Sequence, residues 1–159
     1  MSQFNMRIEG LDKLIDSAHR AGGQLPMLIE RAMVMSTNWV AEDAKRVGTG
    51  RFKNQTGNLR RSIFRRIENG GARGIVGVGS SAPYGIHVEF GTRPHTILPK
   101  KRRFLAFKSK SGKLVFARRV NHPGSRPLPF MEPALKDNVG RIMKAYERVG
   151  EEIIATLAS

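Results

Sequence analysis

His87-Val88-Glu89 is the one place where a histidine and a carboxylate stand two residues apart in this chain. A His-x-Glu pair serves zinc nucleobase deaminases, the histidine holding metal and the glutamate moving protons. Those sites take their other ligands from a Pro-Cys-x-x-Cys segment, and this sequence has no cysteine. The His-Glu-x-x-His spacing of a zinc peptidase is also missing. His95 and His122 could complete a three-histidine site with His87, but only their number supports it, and ordinary loop histidines are the simpler reading. A metal-assisted hydrolase using His87 and Glu89 therefore ranks third, behind the two functions developed below.

Nucleophilic chemistry fares no better. Ser80 and Ser81 lie near His87, yet no nucleophile-elbow pattern surrounds them. Gly74 to Gly79, GIVGVG, has the glycine density of a phosphate loop. It follows a turn, opens no helix and lacks the P-loop lysine, so a thin strand is expected instead. Between residues 51 and 126 only Glu68 and Glu89 are acidic, too few for paired-carboxylate catalysis. Without cysteine there is no thiolate nucleophile, disulfide framework or Cys-ligated metal. No catalytic residue, metal or cofactor is expected, and the chain is expected not to be an enzyme.

What the middle of the chain does carry is charge. Residues 1–50 hold six basic and six acidic residues, residues 51–126 hold eighteen and two, and residues 127–159 hold four and five. The net charge of +15 thus resides in the centre, between two near-neutral ends. Lys100, Lys101, Arg102 and Arg103, followed by Phe104 and Phe107 and then by Arg118 and Arg119, interleave cations with aromatics. A groove tracking phosphates looks like this, and so does a loop that docks on an acidic protein surface. With no helix-turn-helix, zinc finger or RNA-recognition motif alongside, base-specific readout is not expected. Protein contact with DNA passing nearby is the favoured alternative, non-specific nucleic-acid binding the second.

The elements that must carry these residues follow from periodicity. At 159 residues a single domain is expected. No window reaches the 18 or so apolar residues of a membrane span, and the N-terminus lacks a secretory layout; a cytosolic product fits. Phe4, Met6 and Ile8 alternate as a short extended lead-in, and Gly10 to Arg20 reads as a first short helix. A long helix starts near Gln24, with Pro26 in its first turn. Leu25, Leu28, Ile29, Ala32, Met33, Ser36, Val40 and Val47 form its stripe, and Gly48 ends it. Trp39 sits off the stripe centre, as an interfacial residue would. Residues 49–57 are polar loop.

Leu59 to Glu68 reads as a strand, Asn69-Gly70-Gly71 as a hairpin turn, and Ile75, Val76 and Val78 as the return. Tyr84 to Phe90 fits a short helix or a strand. A basic loop over Arg93 to Arg103 precedes a second hairpin, Phe104–Phe107 and Leu114–Ala117, and Asn121 to Pro129 is a proline-stiffened loop. The last helix starts near Pro133, its stripe drawn by Leu135, Val139, Ile142, Tyr146, Val149, Ile153 and Leu157. An α+β fold is expected, with both long helices on one face of a small antiparallel sheet and a basic insert over about 93–126.

TGNLRRSI (Thr56 to Ile63), APYGIHVEFGT (Ala82 to Thr92) and RPLPFMEPAL (Arg126 to Leu135) stand in this order behind the long helix. The pattern resembles the tail-completion, or minor tail, proteins of long-tailed phages, relatives of the lambda-like tail protein Z that act at the head–tail joint. It covers roughly Leu25 to the C-terminus. The resemblance assigns Tyr84, Glu89, Gly91 and Thr92 to the family's central turn, and Pro129, Phe130 and Pro133 to the entry of the final helix. Gly85 departs from the small alanine often found there, and the 93–126 insert is unusually long and basic. Glu89 is expected to pair with a nearby arginine, and Phe130 to act as a rigid apolar plug. The resemblance implies a structural virion protein of the neck, made in the host cytoplasm. It would form a homo-oligomeric ring, a hexamer being the expected form, around phage DNA. Its neighbours would be tail terminator, tail tube or head-closure proteins.

Overall fold

The computed structural model describes residues 5–8, 25–50, 57–100, 102–109 and 111–158. The expected helix over 10–20 and most of the 49–57 loop lie outside the described residues, as do Lys101 and Lys110. Strand β1 covers Asn5–Ile8, and helix α1 runs Leu25–Gly50, two residues past its expected end. Helix α2 (Asn58–Ser62) precedes strands β2 (Ile63–Glu68) and β3 (Arg73–Val78). Helix α3 spans Gly85–Phe90. Four short strands follow: β4 (His95–Ile97), β5 (Leu105–Lys108), β6 (Leu114–Ala117) and β7 (Val120–His122). Helix α4, Met131–Ala158, closes the chain.

The first sheet is antiparallel in the order β1-β3-β2. Ile63 faces Val78 and Glu68 faces Arg73 across the hairpin, whose turn places Asn69, Gly70 and Gly71 all at positive φ, as the Asn-Gly signal requires. The central strand carries Gly74 because α1 crosses there: a Cβ at Gly74 would lie 2.5 Å from both Met33 Sδ and Thr37 Cγ2. Glycine is therefore what lets helix and sheet meet at this distance. Ser36 and Thr37 are buried with them, their hydroxyls donating to the carbonyls of Ala32 and Met33 one turn back.

The two long helices run antiparallel. Val40, Ala41 and Ala44 of α1 share a core with Phe130, Met131, Ala134 and Ile142 of α4 and with Ile63, Val76 and Val78 of the sheet. At the opposite end Ile29 and Ala32 meet Val149, with Tyr146 and Ile153 alongside. Asn138 of α4 is buried and donates to Asp43 Oδ2 of α1 at 2.7 Å.

Three expectations change. Leu59 to Ser62 are helical, not strand: Gly57, in the left-handed region, accepts from the Arg61 N–H, and Asn58 Nδ2 donates to the Ser81 carbonyl. Leu59 and Ser62, three residues apart, are the buried pair of that turn. Residues 95–97 and 121–122, expected as loop, pair within β4 and β7. Val139 is half exposed, and buried Asn138 takes the neighbouring inward position of the α4 stripe. Tyr84 to Phe90, open between helix and strand, is settled as a turn leading into helix.

Candidate partner-binding surface

The two stretches 82–92 and 123–135 close on each other. Glu89, the last residue but one of helix α3, is buried at 2% exposure. One carboxylate oxygen accepts the backbone N–H groups of Phe130 (2.8 Å) and Met131 (3.0 Å); the other accepts that of Glu132 (3.0 Å). The opening turn of a helix leaves its first N–H groups without intrahelical partners, and Pro133 has none to offer. A carboxylate there also meets the positive end of the helix dipole. Glu89 thus caps α4 from 41 residues away, replacing the expected pairing with an arginine. Phe130, fully buried, fills the core beneath the cap. The cap also removes Glu89 from any joint role with His87, which is exposed.

The Leu128 N–H donates to the Val88 carbonyl, and the Tyr84 carbonyl accepts the N–H groups of His87 and Val88. Thr92 and Ser125 exchange both backbone bonds at 3.0 and 3.1 Å. Gly91 adopts φ 72°, and a Cβ there would run into the Ser125 carbonyl and Pro127. Of the motif residues, Glu89, Gly91, Thr92 and Phe130 are thereby joined in one clamp at the entry of α4, with Pro129 and Pro133 beside Phe130 in the chain and Tyr84 exposed at the start of α3.

From this clamp a two-tier β arm projects. Thr92 faces Ser125, then His95 faces His122 and Ile97 faces Val120. Further along the insert, in a separate two-stranded sheet, Leu105 to Lys108 pair with Leu114 to Ala117. Sequence reasoning found the outer hairpin but not its base, because β4 and β7 have three residues each and lie 23 positions apart. The paired histidines stack, ring centroids 5.1 Å apart. His122 Nδ1 accepts the Gly124 N–H, and His95 Nδ1 lies 2.9 Å from the Arg93 carbonyl. His87 is not among them, and no group of three or more metal-capable side chains occurs among the described residues.

Eleven Lys and Arg residues and no acid occupy positions 93–126. The nine within the described residues are all exposed, and none forms an ion pair there. Both acids of the basic block are occupied elsewhere: Glu68 lies 3.7 Å from Arg66 and 3.6 Å from Arg73, and Glu89 caps α4. Lys100, Arg102, Arg103, Arg118 and Arg119 therefore carry uncompensated charge. The guanidinium groups of Arg103 and Arg118 stand 5.8 and 5.6 Å from the Phe104 ring centroid, bringing together two of the expected contact residues. Leu114 and Phe116 are 60% and 64% exposed.

A second surface was only half legible. Trp39 and Met35 of α1 and Arg141, Lys144 and Arg148 of α4 line a groove between the helices, and the Arg141 guanidinium lies 3.9 Å from the Trp39 ring centroid. Trp39's place off the stripe centre was the signal in the sequence. On the same helix Glu132 holds the Lys136 ammonium above its ordinary range through a hydrogen bond. Among the described residues no helix is long and apolar enough to cross a membrane.

Neither the curated proteins nor the solved structures include a match to this chain. A family model, HK97-gp10-like, described as "Bacteriophage HK97-gp10, putative tail-component", matches residues 12–91. That span holds α1, the β2–β3 hairpin and α3 with Glu89, and stops at Gly91 where the arm begins. It covers half of the chain, and the protein belongs to the HK97-gp10-like family of bacteriophage tail components.

Proposed function

We propose that this protein is a non-enzymatic structural component of the virion neck, completing the tail and joining it to the head. It acts as one subunit of a ring around the DNA channel and contacts tail terminator, tail tube or head-closure proteins. The observation that carries the proposal is the arm: nine exposed cations without an ionic partner among the described residues, beside exposed phenylalanine and leucine, on a segment that leaves and returns at the hydrogen-bonded clamp. A two-stranded hairpin alone is marginally stable in water, so such an arm suits a surface completed by another molecule. Its field also attracts an acidic partner from a distance and weakens with salt. Subunit synthesis in the host cytoplasm precedes assembly.

The test is an arm-shortened protein in which residues 98–119 are replaced by Asn-Gly, joining the facing residues Ile97 and Val120 through a turn suited to them. Supplied to a phage lacking its own copy, it is expected to leave filled heads and finished tails unjoined in electron micrographs. Normal yields of infectious particles would overturn the docking role.

Phe104, flanked by Arg103 and Arg118, favours a second reading, non-specific DNA or RNA binding by the same arm. Titration of labelled duplex at low and moderate salt separates the two. A steep loss of affinity with salt supports nucleic-acid binding, and no binding at low salt excludes it.

A further inference from the structure

The hairpin at the end of the arm is apolar on both of its faces. Leu105, Phe107 and Val115 share one side, and Leu114 and Phe116 the other, from the register that sets Leu105 opposite Ala117 and Lys108 opposite Leu114. A hairpin with one face packed on its own subunit would show alternation into polar residues on the other. Here Phe107, Leu114 and Phe116 are all exposed.

Helix α4 carries a surface with matching features. Val139, Met143, Glu147, Gly150 and Ile154 recur at steps of four, four, three and four residues, and so lie along one face. Val139, Met143 and Ile154 are 49%, 57% and 69% exposed. Glu147 and Glu151 beside them are exposed and have no ion pair among the described residues. Gly140 and Gly150 are the telling positions. A Cβ at either would meet nothing within 4 Å, so nothing among the described residues requires glycine there, although glycine inside a helix costs stability relative to alanine. A bare helix backbone between exposed apolar side chains fits an element that approaches closely from outside.

We infer that the β5–β6 hairpin of one copy docks on the Val139–Ile154 face of α4 in a second copy. The hairpin brings phenylalanines and unpaired cations, Lys108 and Lys113 among them; the helix brings apolar side chains and the free carboxylates of Glu147 and Glu151. Both surfaces lie open on the same subunit, so the contact joins two different patches. Each copy can then give its arm to one neighbour and receive another, and such a head-to-tail contact closes into a ring or continues as a filament. The inference rests on the ring proposed above and names the contact that would build it.

Because the chain has no cysteine, single cysteines report this contact without background. The full-length double variant Phe116→Cys with Met143→Cys, under mild oxidation, is expected to give a ladder of covalently linked chains. Equal amounts of the two single variants should stop at a linked pair, and each alone should remain unlinked. Absence of a ladder at every concentration up to the solubility limit would overturn the contact. So would linked pairs from Phe116→Cys alone, which indicate a symmetric hairpin contact. Gly150→Gln adds a second readout, since glutamine favours helix: the thermal midpoint of the subunit should rise while the ladder is lost. A ladder at the parent yield in that variant would overturn the close approach at Gly150. These outcomes are independent of the neck assay, in which the arm-shortened protein either joins heads to tails or does not. A missing ladder with an arm-dependent joining defect removes the copy-to-copy contact and leaves the neck role standing.

Discussion

The Glu89 carboxylate accepts the Phe130 N–H at 2.8 Å from 41 residues away, and this bond fixes where α4 starts relative to α3. Phe130 is also, among the described residues, the largest fully buried side chain, so the first capped N–H and the core plug belong to one residue. The arm leaves and returns between Glu89 and Phe130, so its direction is set by this same joint.

Glu89→Ala is expected to be strongly destabilising, because three buried or half-buried N–H groups lose their acceptor at once. Bonds to a charged acceptor contribute about 1.5–3 kcal/mol each at most, and they are not additive. A net loss of about 3 kcal/mol is expected, roughly 6–12 °C in the thermal midpoint for a chain of this size. Glu89→Gln should lose less, since its carbonyl oxygen can still accept from Phe130 and Met131 while its amide meets the Glu132 N–H unfavourably. Equal midpoints for the parent and Glu89→Ala in differential scanning calorimetry would contradict the cap.

Gly74→Ala tests the crossing of α1 over β3. The added methyl would stand 2.5 Å from Met33 Sδ and Thr37 Cγ2, and Thr37 cannot swing aside without giving up its bond to the Met33 carbonyl. Overpacking of this kind costs about 1–3 kcal/mol. Urea denaturation should show a lower midpoint with an unchanged slope. The compensating change Thr37→Ser, which removes the contacting methyl, should recover part of the loss.

These two sites also show what the sequence could and could not disclose. The stripe of α1, that of α4 apart from exposed Val139, the Asn-Gly-Gly hairpin and the outer arm hairpin are local patterns, and among the described residues each is found where periodicity or turn chemistry places it. Gly74 was legible as a thin point in a strand, though Thr37 as its neighbour was not. Glu89 stood out as one of two acids in a cationic block, yet its partners are backbone groups, which leave no trace in residue type. The β4–β7 base escaped because three-residue strands carry too few positions to alternate. Asn138 hid inside an apolar stripe, since its pairing with Asp43 joins helices 95 positions apart.

Tyr146 supplies a pH dependence with a definite sign. Burial pushes its phenol up to about 12, against a weaker opposing effect from Ser36. The unfolded chain releases this proton near pH 10, while the folded chain holds it until about pH 12. Between those values the folded state binds more protons, so stability falls as pH rises. The contribution is intact below about pH 10 and is lost as pH approaches 12. Denaturation midpoints for parent and Tyr146→Phe should converge over that window, the phenylalanine variant lacking the Tyr146 part of the decline. Since the chain has two tyrosines, the parent-minus-variant absorbance at alkaline pH isolates the Tyr146 phenolate. Its appearance below pH 10 would contradict the burial.

Arg141 and Trp39 set two effects of opposite sign against each other. The guanidinium, 3.9 Å from the ring centroid, gains about 0.5–1 kcal/mol from stacking on the indole at an exposed site. Arg31, Lys144 and Arg148 line the same groove, and like charges at such spacing cost a few tenths of a kcal/mol each. Salt screens the repulsion between exposed charges but leaves most of the short-range stacking. Arg141→Ala should therefore be near neutral at low ionic strength and destabilising by about 0.5–1 kcal/mol at high salt, the reverse of a simple surface ion pair. The emission of Trp39, the one tryptophan in the chain, should shift to longer wavelength as its face opens to water. Arg141→Lys keeps the charge without the planar fork, so it should follow the alanine variant at high salt. If the lysine variant instead matches the parent at every salt concentration, charge alone explains the contact and the stacking assignment is wrong.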